Sequence, residues 1–240
     1  MPTTLPSLSI VIPIYNEEKS VEKILAQYKD FAKKYKFELI CVDNGSTDNS
    51  ASILKKISSN RQYRFVKVVK VVKNVGYGHG IMSGVKKANG DLISWTHADM
   101  QTHPKDVFKA YDLYLKSNER KVLIKGIRVN RLFLDSFVSF VMGIVASVAL
   151  GGVYYEINAQ PKLFSKELVK KLGDSPDDFL LDLYLLWIAK KLGYKTISFK
   201  VEFLKRLHGK SKWAYSFGSR FKMILRTFLY IFELSEGTIS

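Results

Sequence analysis

Residues 90–104 read GDLISWTHADMQTHP, and their side chains change from apolar to polar within the segment. This change is the main sequence evidence for the fold. Leu92–Trp95 is short, bulky and uncharged, which is typical of a buried strand. His97, Asp99 and Gln101 follow at alternate positions and face one side if the chain stays extended. Polar groups just past the carboxyl end of a buried strand indicate the ligand-binding edge of an open α/β sheet.

Two interpretations of Asp99 follow from this placement. One carboxylate with amide and imidazole neighbours can hold a divalent cation against a phosphate-bearing substrate. The structural alternative is that Asp99 and Thr102 turn the chain and cap a helix that begins at Pro104. The rest of the chain favours the first interpretation.

Strand-like and helix-like segments alternate on both sides of this segment. The apolar runs predict strands at 8–12, 37–42, 65–72, 92–95, 122–127 and 195–203. Apolar residues at helical spacing predict helices between most of them, and a strongly apolar helix at 180–192. Short connections between such elements predict an α/β fold with a mostly parallel, Rossmann-like sheet flanked by helices. The first strand is expected to end at Pro13.

Composition limits the class of protein and of partner. With 240 residues, 47% hydrophobic and 25% charged, the chain is globular rather than disordered. The single cysteine, Cys41, excludes an internal disulfide and fits a reducing compartment. A formal charge of +16 predicts an anionic partner: a nucleotide, a nucleic acid or an acidic membrane surface.

Two segments bear on membranes. Residues 1–9 lack a basic start followed by an apolar run, so no secretory signal is predicted. Residues 136–155 are uncharged and have about the 20-residue length of a membrane span. Serines and glycines interrupt them, so we predict a buried or membrane-surface helix.

The segment from residue 204 onward mixes basic and aromatic residues. Apolar residues then recur at helical spacing at Phe221, Ile224, Leu225, Phe228 and Phe232. This pattern predicts a basic amphipathic helical tail, which either lies on a membrane surface or packs on its own domain or on a second copy in a homodimer. The predicted organisation is a catalytic domain at 1–203 and a contact segment at 204–240, acting peripherally at the cytoplasmic face of a membrane.

Four motifs at strand ends resemble one family. They are VIPIYNE at 11–17, VDNGSTD at 42–48, NVGYG at 74–78, and GD at 90–91 leading to ADMQ at 98–101. Their order and spacing resemble family 2 glycosyltransferases with the GT-A fold, most closely the polyprenyl-phosphate branch that includes dolichol-phosphate mannose synthase. The resemblance is specific over roughly the first half of the chain. The second half resembles the branch less closely, chiefly at Gly126 and Arg128, at 162–164 and at 209–212.

The resemblance implies that a hexose moves, with inversion, from a nucleotide-diphosphate sugar to an acceptor, with Mg²⁺ or Mn²⁺ as cofactor. It implies a nucleotide-sugar donor rather than a nucleic acid. Asp99, with Gln101, would ligate the metal and serve catalysis. The residues implied to bind the donor nucleotide are Pro13, Tyr15, Glu17, Asp43, Gly76, Gly78, His97 and Ala98. Those implied to hold phosphates or the acceptor are Arg128, Arg206, His208 and Lys210.

His97 departs from the family pattern, which has an aspartate there. An imidazole ligand would favour Mn²⁺ over Mg²⁺; the preferred alternative is that Asp99 and Gln101 hold the ion with waters and diphosphate. A lipid-phosphate acceptor is already an anion and needs no base. The hydroxyl of a soluble saccharide needs one, for which Asp177, Asp178 and Asp182 are candidates. The remaining alternatives are a catalytically weakened membrane-associated pseudoenzyme and a nucleotidyltransferase, which would need a glycine-rich basic loop near the first strand.

Overall fold

The structure is a computed structural model that describes residues 5–130, 133–204 and 217–237. In chain order its elements are β1 (Leu8–Ile14), α1 (Glu18–Phe31), β2 (Phe37–Asn44), α2 (Ser50–Ser58), a 3₁₀ turn (Arg61–Tyr63), β3 (Val66–Val71), α3 (Tyr77–Val85), β4 (Leu92–Trp95), α4 (Pro104–Ser117), β5 (Val122–Val129), α5 (Phe133–Leu150), β6 (Lys162–Ser165), α6 (Lys166–Val169), α7 (Leu180–Lys191), β7 (Lys195–Glu202) and α8 (Phe217–Ser235).

The strands form one seven-stranded sheet in the order β3-β2-β1-β4-β6-β5-β7. Every pair is parallel except the two that involve β6, which runs antiparallel to both β4 and β5. The predicted mostly parallel sheet flanked by helices is therefore confirmed. The carboxyl ends of β1, β2, β4 and β5 and the amino end of β6 meet at one edge, where the sequence predicts a ligand site.

Two sequence predictions about the strands are wrong in detail. β1 does not close at Pro13, because Pro13 pairs in register with Val42 and the strand continues to Ile14. The sequence does not predict β6 at all. Its four residues include a lysine, and so short a segment gives no clear period-2 pattern.

The sheet is buried on both faces, as parallel sheets usually are. Successive residues of β1 divide between two core clusters: Val11 belongs to one, and Ile10 and Ile12 to the other. The first cluster joins the sheet to α3, α5, α7 and α8, and the second joins it to α1, α2 and α4. This alternation follows from the two-residue repeat of a strand.

The predicted helices at 136–155 and in the tail correspond to α5 and α8, which pack against each other. Tyr230, Ile231 and Leu234 of α8 are buried in the same cluster as α7. Within the described residues, no helix combines the length and apolar character needed to cross a bilayer. Residues 205–216, which carry many of the basic side chains of the tail, lie outside the described residues, and the domain boundary at 203 stays a prediction.

Candidate active site

The loops after β1 and β2 are joined by hydrogen bonds between them. The backbone N–H of Thr47 donates to Oδ1 of Asn16 (2.8 Å), and the N–H of Glu17 donates to Oγ of Ser50 (2.9 Å). Asn16 has a φ of 55°, a left-handed conformation that asparagine tolerates better than most residues. These bonds hold the two loops side by side.

The residues expected to hold the donor nucleotide lie together in these loops. Asp43 is opposite Ile14 in the parallel register, so it is beside Pro13 and Tyr15 at the sheet edge. Its carboxylate, 3% exposed as a residue, accepts a hydrogen bond from the N–H of Ser46 (3.0 Å). The arrangement can present acceptors for the N–H and hydroxyl groups of a nucleoside.

Gly76 and Gly78 at the start of α3 have a packing role that the sequence did not indicate. A Cβ built on Gly76 would lie 2.2 Å from the carbonyl oxygen of Asp177, and one on Gly78 would lie 2.2 Å from that of Pro176. The N–H of His79 also donates to the Asp177 carbonyl (2.9 Å). Residues 176–178 therefore fill the space that a side chain would need at either position. The expectation that the backbone of these glycines approaches a ligand stays a prediction.

The loop after β4 is held in one shape by its own side chains. Oδ1 of Asp99 accepts a hydrogen bond from the N–H of Gln101 (3.0 Å), which is the turn expected of an aspartate. The helix cap is not Thr102, whose hydroxyl contacts that of Thr96, but His103, whose Nδ1 accepts from the N–H of Lys105. Asp99 therefore turns the chain without capping α4, and its side chain stays partly exposed at the sheet edge.

Gln101 fixes this loop to the end of β7. Its carbonyl accepts from the N–H of Leu204 (2.9 Å), and its Nε2 donates to the Leu204 carbonyl (3.2 Å). Because the amide nitrogen is used in this way, Oε1 is the atom through which Gln101 could ligate a cation.

The ring of His97 lies against a stack of two aromatic rings. Tyr77 stacks on Phe179, with centroids 4.5 Å apart and planes 6° from parallel, and lies 5.3 Å from the His97 ring. Burial lowers the pKa of His97, whereas the nearby carboxylate of Asp99 acts to raise it. The imidazole of His97 is therefore expected to be neutral near pH 7. Ala98, the next residue, is buried.

A fully buried cluster of polar side chains lies below His97. The carboxylate of Asp182 accepts hydrogen bonds from Nε1 of Trp95 (3.1 Å) and Nε2 of Gln160 (3.1 Å), and Nζ of Lys162 lies 2.8 Å away. The same Nε2 donates to the hydroxyl of Tyr77 (3.0 Å). Burial lowers the pKa of Lys162, and the Asp182 carboxylate opposes that shift.

Asp178, a candidate base, and Arg128, a candidate phosphate ligand, each form an ion pair. Asp178 accepts from the N–H of Leu180 (2.9 Å) at the start of α7 and pairs with Arg226 of α8 (2.9 Å). Nε of Arg128 is 2.6 Å from Glu156. A guanidinium has five N–H donors, so this pairing leaves capacity for an anion. Arg206, His208 and Lys210 lie outside the described residues.

Comparison with known proteins identifies the family. The family model for glycosyl transferase family 2 matches residues 9–131, which is about half of the chain and contains all four motifs. The chain belongs to glycosyl transferase family 2.

Curated relatives of this family 2 chain share one description. The undecaprenyl-phosphate 4-deoxy-4-formamido-L-arabinose transferase of Photorhabdus laumondii is 28% identical over 88% of this chain and 64% of its own length. The protein of the same name from Proteus mirabilis is 35% identical over 42% of this chain and 31% of its own length. The chain thus spans less than two thirds of the curated relatives that it matches.

Solved structures show that the fold is GT-A. Glucosyl-3-phosphoglycerate synthase from Mycobacterium tuberculosis, in complex with Mn²⁺, UDP and glucosyl-3-phosphoglycerate, superposes with a TM-score of 0.72. It is 18% identical, over 97% of this chain and 80% of that chain. A mannosyltransferase from Pyrobaculum calidifontis with GDP-Man and Mn²⁺ has a TM-score of 0.67 at 18% identity, over 100% of this chain and 66% of that chain.

Asp99 and Gln101 of this family 2 chain offer oxygen atoms of the kind that bind divalent cations. Asp99 offers a carboxylate and Gln101 an amide oxygen, which suit Mg²⁺ or Mn²⁺. The described residues contain no cluster of three or more histidine, cysteine, aspartate or glutamate side chains that could hold a metal ion.

Sequence reasoning missed Trp95, Gln160 and Lys162 as members of the site. It placed Trp95 in a buried strand and gave the other two no role. The only signal was that Gln160 and Lys162 lie just before the apolar pair Leu163 and Phe164. The sequence did not show that they are buried, since glutamine and lysine are rarely buried without a partner.

Proposed function

We propose that this chain transfers a sugar from a nucleotide-diphosphate donor to a polyprenyl phosphate. The observation that carries the proposal is the convergence of the four family motifs on one sheet edge, where the β1 and β2 loops lie beside the Asp99 loop. The curated relatives are named for a reaction of this kind, on undecaprenyl phosphate.

In this proposal the β1 and β2 loops bind the nucleoside. Pro13, Tyr15, Glu17 and Asp43 form the pocket for the base and ribose, with the backbone of Gly76 and Gly78 and the ring of His97 nearby. These contacts orient the donor, so that the bond to the sugar faces the acceptor.

Asp99 and Gln101 are proposed to hold Mg²⁺ or Mn²⁺ at the diphosphate. A bound cation neutralises charge that grows on the leaving diphosphate. Arg128 lies near the carboxyl end of β5, which is at the same edge of the sheet. With Arg206, His208 and Lys210, it would hold the phosphates of donor or acceptor.

The state of the candidate bases favours a phosphate acceptor. A sugar hydroxyl must lose its proton to a base as it attacks, whereas a phosphate oxygen attacks as an anion. Asp182 is fully buried against Lys162, and Asp178 pairs with Arg226. Neither of these two carboxylates is presented openly to an acceptor hydroxyl, whereas the third candidate, Asp177, is exposed and lies 3.1 Å from Nδ1 of His79.

A membrane surface is proposed as the place of reaction, because α5 and α8 carry apolar side chains on their outer sides. About half or more of each of these side chains is exposed: Phe137, Phe140, Ile144 and Val148 on α5, and Phe221, Leu225, Leu229 and Phe232 on α8. Both helices pack on the same core cluster, so their exposed sides point away from it. We call these eight residues the apolar face.

The proposed occupant of the apolar face is an anionic lipid bilayer. Lys222 and Arg226 are exposed beside it on α8, and the chain carries a formal charge of +16. A helix with apolar and basic sides of this kind lies in the membrane interface. Phe228, which is also at helical spacing in the tail, is partly buried against the core and is not part of the apolar face.

The reaction is tested with the purified chain, Mn²⁺ or Mg²⁺, and a panel of UDP-, GDP- and dTDP-sugars. Each donor is incubated with undecaprenyl phosphate or with a soluble saccharide, and lipid-linked sugar is detected by mass spectrometry. We expect one donor to give a lipid-linked product. Transfer only to the saccharide would overturn the acceptor class, and no turnover of any donor would favour a pseudoenzyme.

A further inference from the structure

Asp182 joins three elements beneath the proposed donor site. Its carboxylate lies on α7 and is 0% exposed, as is the side chain of Lys162 at the start of β6. It accepts from Trp95 at the end of β4 and from Gln160 just before β6. One buried carboxylate therefore fixes the ends of two strands relative to a helix.

The contacts of Asp182 leave it poorly suited to be a general base. A base must come within hydrogen-bond reach of the proton that it removes. Lys162, Trp95 and Gln160 already donate to this carboxylate, and none of its surface meets solvent. An acceptor hydroxyl would have to displace one of these buried donors.

Two chains of contacts instead connect Asp182 with the loop that contains His97 and Asp99. One branch is direct, since Trp95 precedes His97 by two residues and starts that loop. The other passes through Nε2 of Gln160 to the hydroxyl of Tyr77, whose ring lies between Phe179 and His97.

We propose that Asp182 is a positioning residue, which holds Trp95 directly and Tyr77 through Gln160 so that the loop from His97 to Asp99 keeps one conformation toward a nucleoside diphosphate. The inference rests on the proposed function, because it assigns that loop to the donor. It replaces the candidate role of Asp182 as a base. Partners that orient metal ligands act in the same way in other proteins.

The charge balance of the cluster allows a test by rescue. Asp182→Asn alone leaves Lys162 as a buried charge without its partner, which is strongly unfavourable. The double variant Asp182→Asn with Lys162→Met removes both charges together. The asparagine introduced there would still accept from Trp95. Gln160 could turn its Oε1, which has no hydrogen-bond partner within the described part of the chain, toward the new amide, and the Tyr77 hydroxyl would then donate to that same oxygen, so that the contact between Gln160 and Tyr77 is kept.

The experiment measures binding of UDP and of GDP in the presence of Mn²⁺ by calorimetry, together with turnover, for the wild type and the single and double variants. Asp174→Asn is the matched control, since it removes an exposed carboxylate near the same helix. We expect Asp182→Asn to weaken Mn²⁺–diphosphate binding by about 10- to 100-fold. The double variant should regain most of that affinity and measurable turnover.

Opposite outcomes separate this inference from the proposed function. Unchanged diphosphate affinity in Asp182→Asn, with turnover lost and not regained in the double variant, would make Asp182 a base and overturn the positioning role. Diphosphate binding by a wild type that transfers no sugar would overturn the proposed function alone.

If the Asp182 variants do not fold, two variants of Tyr77 test the same inference. Tyr77→Phe keeps the ring and removes the hydroxyl that Gln160 holds, whereas Tyr77→Leu also removes the stack on Phe179 and His97. We expect diphosphate affinity to fall in Tyr77→Phe and to fall further in Tyr77→Leu. Wild-type affinity in both variants would overturn the inference.

Discussion

The indole Nε1 of Trp95 donates a hydrogen bond across 3.1 Å to the buried carboxylate of Asp182, 87 residues later in the chain. Trp95 is the last residue of β4, and Asp182 lies in the first turn of α7. The loop that follows Trp95 contains His97, Asp99 and Gln101. The start of the proposed metal-binding loop is thus fixed by a side chain from the second half of the chain.

Asp99→Asn should abolish most turnover and leave the fold intact. Asparagine keeps an Oδ1 that can accept from the N–H of Gln101, so the turn is preserved while the negative charge is lost. Loss of one group that stabilises growing charge costs about 100-fold or more in kcat. Turnover with Mn²⁺ and the melting temperature are measured together. A variant with near-normal kcat would remove Asp99 from the metal site.

His97→Asp restores the pair of acids usual in the family and should shift the preferred metal toward Mg²⁺. A second carboxylate adds a hard oxygen ligand and a negative charge, whereas the imidazole favours Mn²⁺ if it ligates. The ratio of Mg²⁺ to Mn²⁺ affinity is measured by calorimetry with diphosphate, alongside turnover. His97→Ala is the control, because it removes the ring without adding a carboxylate. Normal donor binding with complete loss of activity in His97→Asp would show that the imidazole has another role.

Substitutions on the apolar face should weaken binding to anionic vesicles. Leu229→Ser and Phe232→Ser remove exposed apolar area from α8, and Val72→Ser, which is exposed elsewhere, is the matched control. Co-sedimentation is measured with phosphatidylglycerol and with phosphatidylcholine vesicles at low and high salt. Each basic side chain near an anionic surface contributes about 1 kcal/mol, so added salt should weaken binding.

Point substitutions suit this test better than truncation before residue 220. Such a truncation would also remove Tyr230, Ile231 and Leu234 from the core. Wild-type protein that stays in the supernatant with anionic vesicles at low salt would contradict the membrane proposal.

Lys125→Met should stabilise the protein more near pH 7 than near pH 9. Burial lowers the pKa of Lys125 to about 7, helped by Lys162 and Arg128 and opposed by Glu156 and Asp182. The unfolded chain keeps its proton up to the ordinary value of 10.5, so the wild type gains stability as pH rises between these values, at about 1.4 kcal/mol per pH unit.

The measurement is the free energy of unfolding in urea at pH 7, 8 and 9. The advantage of Lys125→Met over the wild type should shrink as pH rises, and the exposed Lys121→Met serves as control. Loss of the bonds from Nζ to the carbonyls of Gly126 and Tyr155 adds an offset that does not depend on pH. A difference that stays constant with pH would contradict the lowered pKa.

The fold class, the positions of most strands and the family could be predicted from local sequence patterns. Apolar runs that end in polar motifs are local patterns, and each motif lies within about ten residues of its strand. The sequence predicts strand 92–95 with the bounds that the structure has, and the grouping of Asp43 with Pro13 and Tyr15 follows from the rule that parallel strands end at the same edge.

The tertiary structure was needed to show which polar residues are buried against other side chains and which face the site. Asp178 and Asp182 are four residues apart and look equivalent as candidate bases, yet one pairs with Arg226 and the other is sealed against Lys162 and Trp95. The glycines at 76 and 78 likewise make room for the backbone of residues 176–178, a packing role that the local motif does not show. These contacts join residues about 20 to 100 positions apart in the chain. Burial or pairing at that separation depends on tertiary packing, which no local pattern encodes.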